Sequence, residues 1–185
     1  MKINKLFLVL IIVVGMSCEN NEDEKLSTLK NLTSLKGESG ISFNESYSKW
    51  TDLKKENGNS YVYQTIQISW TGFGSTTELR IENGVIIERN YEEFMTNDTN
   101  GQRRIIDSYS ETNTNLGSHE KGADLLTIDD LYNSCSSEYL SVNTSTNTLY
   151  FETETNGLMT SCGFVPDNCS DDCFNGVTIN SFNWI

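Results

Sequence analysis

The densest set of side chains able to do chemistry lies in one short segment, Asp167-Asn168-Cys169-Ser170-Asp171-Asp172-Cys173-Phe174-Asn175-Gly176. Asp167, Asp171 and Asp172, with Asn168 and Asn175, offer hard oxygen donors of the kind calcium takes, although the spacing is not that of an EF-hand loop, whose ligands alternate and end on a glutamate. A disulfide-closed turn with solvated carboxylates accounts for the same residues, so calcium at Asp167, Asp171 and Asp172 is a candidate and not an assigned site. Zinc is disfavoured, because the four distal cysteines form no C-x₂-C pair. The single histidine, His119, follows Ser118 in the segment Leu116 to Gly122. A nucleophilic triad needs a base held by a third group, which a glycine-flanked loop does not promise. The carboxylate pairs Glu92-Glu93 and Asp171-Asp172 point apart in an extended chain. No catalytic residue and no metal is therefore assigned. Tyr61 and Tyr63 lie on the side of their strand opposite Ile66 and Ile68, and are the expected contacts for a sugar or peptide ligand.

The cysteines sort into one and four. Cys18 closes a start in which Lys2 and Lys5 precede an apolar run from Leu6 to Val14 and then Gly15-Met16-Ser17. That run is far shorter than the roughly 20 apolar residues a spanning helix needs, and has the layout of an export signal with a small-residue cleavage site. The start resembles the signal of bacterial lipoprotein precursors of Bacteroidetes type, which implies cleavage before Cys18 and its acylation (palmitate among the chains). The domain plan is a signal peptide over 1–17, a flexible acidic and polar tether over 18–40, and one folded domain over 41–185. Glu19, Glu22, Asp23 and Glu24 behind the cysteine resemble an outer-membrane export signal, favouring the cell surface over the periplasmic face. Cys135, Cys162, Cys169 and Cys173 form an even set in an exported chain, which suggests two disulfides. Three connectivities are open; the elements below favour Cys135 with Cys162 and Cys169 with Cys173.

Charge narrows the partners. The chain of 185 residues has 13 basic and 26 acidic side chains, a net of −13, which becomes more negative once Lys2 and Lys5 leave with the signal. Nucleic acid is excluded as a partner, since phosphate neutralisation needs clustered Lys and Arg. The membrane contact is then the lipid at Cys18, and the remaining partner is an unidentified protein or glycan.

The supporting elements follow from pattern. Leu26, Leu29, Leu32 and Leu35 make only a weak stripe in the tether. Phe43, Tyr47, Trp50 and Leu53 keep helical spacing, predicting a helix over 44–57 with Asn44 as its cap and Asn57-Gly58 as its stop. Alternation from Tyr61 to Trp70 predicts a strand with Val62, Ile66, Ile68 and Trp70 on one side. Asn83-Gly84 predicts a tight hairpin between 76–82 and 85–91. Residues 95–122 read as a mobile polar stretch in which 103–109 could form an edge segment. Thr127 caps a second helix running to about Glu138, with Asp129 and Asp130 in its first turn. Asn156-Gly157 predicts another hairpin, placing Leu149, Phe151, Cys162 and Phe164 on one face, and 177–185 is the last strand. The sum is α+β: two helices packed on one face of an antiparallel sheet, in the order α-β-β-β-α-β-β-β.

The helix around Trp50, the strand Tyr61-Val62-Tyr63, the hairpin Glu82-Asn83-Gly84-Val85, the helix Thr127-Ile128-Asp129-Asp130-Leu131-Tyr132 and the Gly157-Leu158 hairpin together resemble the DUF6174 family of exported bacterial proteins. The resemblance implies a small α+β envelope domain over roughly residues 44–184 and carries no established activity. The expected function is a membrane-anchored, non-catalytic binding or accessory module; the alternative is an envelope hydrolase using carboxylate catalysis.

Overall fold

The computed structural model describes residues 20–97 and 101–185, with side chains from 25 onward. The signal peptide and Cys18 lie outside the described residues. Three α-helices and seven strands follow in the order α1 (Asn20–Ser34), α2 (Phe43–Asn57), β1 (Tyr61–Ile68), β2 (Phe73–Glu82), β3 (Val85–Thr96), β4 (Arg103–Thr112), α3 (Ile128–Ser134), β5 (Asn147–Thr153), β6 (Met159–Pro166) and β7 (Asn175–Trp184). The class is α+β, with one helix and one strand more than the pattern predicts. The added helix, α1, falls in the segment read as a tether. Leu32 and Leu35 pack against the core while Leu26 stands 68% exposed, and Asn31 Nδ2 donates to Leu140 O at 2.9 Å. The added strand, β4, extends the predicted edge segment to Thr112. Among the described residues no helix is long and apolar enough to cross a membrane.

The strands form one antiparallel sheet in the order β4-β3-β2-β1-β7-β6-β5. The β2–β3 turn has Asn83 at φ 50° and Gly84 at φ 80°, the positive pair a two-residue hairpin requires. Strand β7 joins two blocks. Its first residues pair with β6 and its later ones with β1. The β1–β7 register shifts between Gln64 and Thr65, so Thr65 pairs with Ile179 while Gln64 pairs with Ser181. This bulge skips Asn180 and reverses the alternation, so that Val177, Ile179, Phe182 and Trp184 all join the core.

Helices α2 and α3 cover that core. Ser42, not Asn44, caps α2: its hydroxyl accepts from Glu45 N at 3.5 Å and Glu45 Oε2 accepts from Ser42 N at 2.8 Å, a reciprocal capping box. Thr127 caps α3 in the same way with Asp130. Helix α3 ends at Ser134 in a single wide turn, Cys135–Tyr139, in which Leu140 N donates to Cys135 O at 2.9 Å. Trp50 is fully buried between Tyr61, Phe182 and Trp184, with ring centroids 5.4–5.8 Å away. Cys135 is bonded to Cys162 with Cα atoms 5.8 Å apart, tying the wide turn to β6, and Cys169 is bonded to Cys173.

The facing of β1 is opposite to the expected one. Tyr61 and Tyr63 are inside, at 0% and 1% exposure, and Ile68 is outside at 56%. Apolar residues occupy both phases of this strand, so alternation alone does not choose. Partners for the phenols do: Tyr61 Oη accepts from Ile128 N at 3.1 Å, and Tyr63 Oη donates to Leu126 O. Trp70 lies beyond β1, in the β1–β2 turn.

Candidate ligand-binding cavity

Register turns the inner face of β1–β4 into cross-strand rows. The first is Tyr61, Ile81 and Ile86; the second is Tyr63, Leu79, Arg89 and Glu111. The third is Thr65, Thr77, Tyr91 and Tyr109, and the fourth is Gln67, Ser75, Glu93 and Asp107. Polarity therefore rises along the strands, from an aliphatic and aromatic row to one of amide, hydroxyl and carboxylates. The helices cover the apolar end. Over the polar end lies the segment 113–126, which contains no α-helix and hangs from side chains of the sheet.

Its anchor is Glu111, whose side chain is fully buried. Arg89 Nε and Nη2 donate to its two oxygens at 2.9 and 3.0 Å, a bidentate, charge-assisted pair. Gly117 N and His119 N donate to the same carboxylate at 2.6 and 2.7 Å, and His119 Nδ1 lies 2.8 Å away. Burial alone would raise the Glu111 carboxyl, but the Arg89 guanidinium and the amides of Gly117 and His119 outweigh it and hold the group far below the ordinary carboxylate range. Arg89 also donates to the carbonyls of His119 and Ala123, at 2.8 and 3.1 Å. Thr77 Oγ1 accepts from Ala123 N at 2.9 Å, and Tyr109 Oη donates to Lys121 O. At Gly122, φ is +94°, and a Cβ would sit 2.8 Å from Tyr109 Oη and 3.0 Å from a Tyr91 ring carbon. Only glycine lets the segment lie this close to the sheet. The last part of the stretch expected to be mobile is thus held at every second residue, at Gly117, His119 and Lys121.

Between this segment, the wide turn after α3 and the start of β7 is a cavity of about 450 Å³. Its floor is the third and fourth rows: Thr65, Gln67, Ser75, Thr77, Tyr91 and Glu93. Lys121, Asp124, Tyr139, Phe174 and Val177 make its walls. Lys121 Nζ bridges Glu93 at 2.8 Å and Asp107 at 3.0 Å, which raises its own ionisation above the usual lysine range. Burial pushes the phenols of Tyr91 and Tyr139 up, with Glu93 adding to the effect at Tyr91 and Glu138 at Tyr139. Both therefore present neutral hydroxyls at physiological pH. A second hollow of about 770 Å³ shares Gln67, Ser75, Tyr91, Glu93 and Phe174 with the cavity and leads to Ile68, Ser69 and Phe73 at the β1–β2 turn.

The residues singled out in the sequence are placed differently from one another. Tyr63 contributes to the cavity lining but is almost wholly covered, and Tyr61 belongs to the core beneath α2. The three aspartates of the calcium candidate diverge: Asp167 Oδ1 accepts from Thr148 Oγ1 at 3.0 Å, whereas Asp172 accepts from Ser69 Oγ at 2.6 Å and from Trp70 N at 3.3 Å. Among the described residues no three His, Cys, Asp or Glu side chains are grouped to hold a metal ion. The loop instead joins the Cys169–Cys173 disulfide to the β1–β2 turn. His119 does meet a carboxylate, yet Ser118 Oγ approaches the same ring nitrogen, Nδ1, at 3.3 Å. A triad places the nucleophile and the carboxylate on opposite nitrogens. Stacking on Tyr109, with ring centroids 4.0 Å apart, fixes the imidazole as part of the loop anchor.

Sequence reasoning missed Glu111, Arg89 and the cavity. Their one signal was the alternation Asp107, Tyr109, Glu111, which marks an inward face only once β4 is paired. Comparison of the chain with protein-family models, curated proteins and solved structures finds no match, so the site is read from its own chemistry.

Proposed function

We propose that this chain is a lipid-anchored protein of the bacterial cell envelope, held at the outer membrane through Cys18, and that its domain is a non-catalytic binding module acting through the cavity above the two polar rows. The observation that carries the binding half is the cavity itself: the covered side chains of Thr65, Thr77 and Tyr91 line its inner part, and the Gln67 amide and Glu93 carboxylate its more open end. Covered polar groups on a rigid sheet are informative in a way that exposed ones are not. The groups that could have served as base or nucleophile nearby, His119 and Ser118, are both turned to Glu111. The anchoring half rests on Lys2, Lys5, the apolar run and Cys18, and two disulfides suit an oxidising compartment. The acidic residues after Cys18 support the outer face, and the DUF6174-like plan belongs to the same reading.

Fractionation of cells producing the full chain tests the anchor. The wild-type chain is expected in the outer-membrane fraction and Cys18→Ala in the soluble one; retention of Cys18→Ala on the membrane would overturn the anchoring. Protease shaving of intact cells, with an intact periplasmic marker, should remove the domain if it faces outward.

A further inference from the structure

We infer that the cavity and the hollow beyond it form one groove for an uncharged oligosaccharide, with one sugar ring on the floor between Gln67 and Thr77 and the following rings passing Phe174 toward Trp70. This deepens the proposed function and rests on it. The floor decides the ligand chemistry. Thr65, Thr77 and Ser75 offer hydroxyls, Gln67 an amide and Tyr91 a neutral phenol, on strands about 4.8 Å apart, so a ring several ångströms wide meets donors and acceptors from adjacent strands together. Thr77 Oγ1 already accepts from Ala123 N and Thr65 Oγ1 donates to Thr77 O, so an apolar ligand would strip water only from the remaining capacity of these hydroxyls and from the Gln67 amide, still at a cost in desolvation. An anion would meet Glu93, Asp107 and Asp124 with Lys121 as the cation among them. A cation would have to settle beside Lys121, which already occupies the space between Glu93 and Asp107. A neutral ring dense in hydroxyls meets none of these penalties.

The walls supply the other half of sugar recognition, aromatic surface for the C–H faces. Phe174 is 40% exposed at the point where the two hollows meet, set edge-on to Tyr150 with centroids 6.2 Å apart. Past the outer hollow, Trp70 is 76% exposed at the tip of the β1–β2 turn. That turn is braced: Asp172 accepts from both Ser69 Oγ and Trp70 N, and Asp172 belongs to the loop closed by Cys169 and Cys173. A large exposed aromatic side chain on a braced turn, next in the chain to Ser69 of the outer hollow, is a platform for a chain longer than the cavity.

Saturation-transfer NMR on the detergent-solubilised full chain tests this with cellobiose, mannobiose, N,N′-diacetylchitobiose and their hexamers. At least one hexamer should show saturable transfer and bind more tightly than its disaccharide. Gln67→Ala should weaken both lengths about tenfold, the size of one or two lost hydrogen bonds. Trp70→Ala should weaken only the hexamer, by about threefold. Gln64→Ala, on the opposite face, should change neither. No transfer from any of the six sugars, or transfer that Gln67→Ala leaves intact, would overturn the inference. Glycyl peptides and alkylamines run beside the sugars separate the two levels: transfer from them alone, lost in Gln67→Ala, would overturn the saccharide class and leave a binding module, whereas silence from every probe would overturn both.

Discussion

The two halves of the inner sheet face solve the same problem with opposite chemistry. Around β1, β7, β6 and the end of β2, the sheet is roofed by α2 and α3, and Trp50, Tyr61, Tyr132 and Phe151 exclude water from a continuous core. Over β2–β4 the roof is a segment without helix, and what holds it is a buried ion pair with its carboxylate and guanidinium aimed at backbone amides and carbonyls. An apolar roof needs no particular contact to persist, because its attraction is spread over area. A polar roof depends on each partner, because a buried charge that loses its counterpart is costly. The helical half is therefore built to be stable and the looped half to hold a particular shape, and the cavity sits at the seam between them.

The largest effect should come from the helical half. Trp50→Ala should cost about 4 kcal/mol, seen as a fall in the urea midpoint shared by near- and far-UV circular dichroism. Glu111→Gln should cost about 3 kcal/mol by leaving Arg89 buried without its counter-ion, and its signature is local. Hydrogen exchange at Gly117, His119 and Ala123 should accelerate while amides of α2 and α3 keep most of their protection. If exchange rises equally in both halves, they form one cooperative unit and the comparison fails. Thr127→Ala acts where the looped roof turns into helix, and loss of its cap should cost about 1 kcal/mol, with exchange rising first at Ile128 to Leu131.

Acid sharpens the contrast most gently. The amide and hydroxyl of Ser42, then Lys36, lower the Glu45 carboxyl from 4.5 to about 2. A depressed carboxyl stabilises the fold fully above its unfolded value and loses that contribution as pH falls through its folded value. Exchange in the first turn of α2 should therefore rise between pH 4.5 and about 2. Glu111 is held lower still, so the amides of Gly117 and His119 should stay protected across the same window; their earlier release would mean that the Arg89 pair is weaker than its geometry implies.

What could be read from the chain was local. Asn83-Gly84 set its two-residue hairpin, Asn156-Gly157 marked a second one whose loop is the wider 154–158 with a bulge at Thr153, Thr127 announced α3, and the register expected for the second hairpin, kept at Phe151 and Cys162, put Cys162 where a helix ending near Cys135 could reach it. Each depends on residues a few positions apart. The facing of β1 was misread because its apolar residues fill both phases and the deciding partners, Ile128 N and Leu126 O, lie more than sixty positions away. Helix α1 was underestimated because its leucine stripe is thin, and it is held by contacts such as Asn31 with Leu140. The Arg89–Glu111 anchor was invisible for a related reason: two charged residues in a polar chain look solvated until pairing of β3 with β4 places them side by side and the loop closes over them.

The placement of β7 bears on when the domain can form. It comes last in chain order among the seven described strands, yet it occupies the middle of the sheet, between β1 and β6. Until it arrives, β1–β4 and β5–β6 are two separate ribbons with no hydrogen bonds between them, and Val177, Ile179, Phe182 and Trp184 are missing from the core. Contacts between such distant parts of a chain slow folding. A chain of this kind therefore completes its core and joins its two ribbons in a single step, when β7 is inserted between β1 and β6.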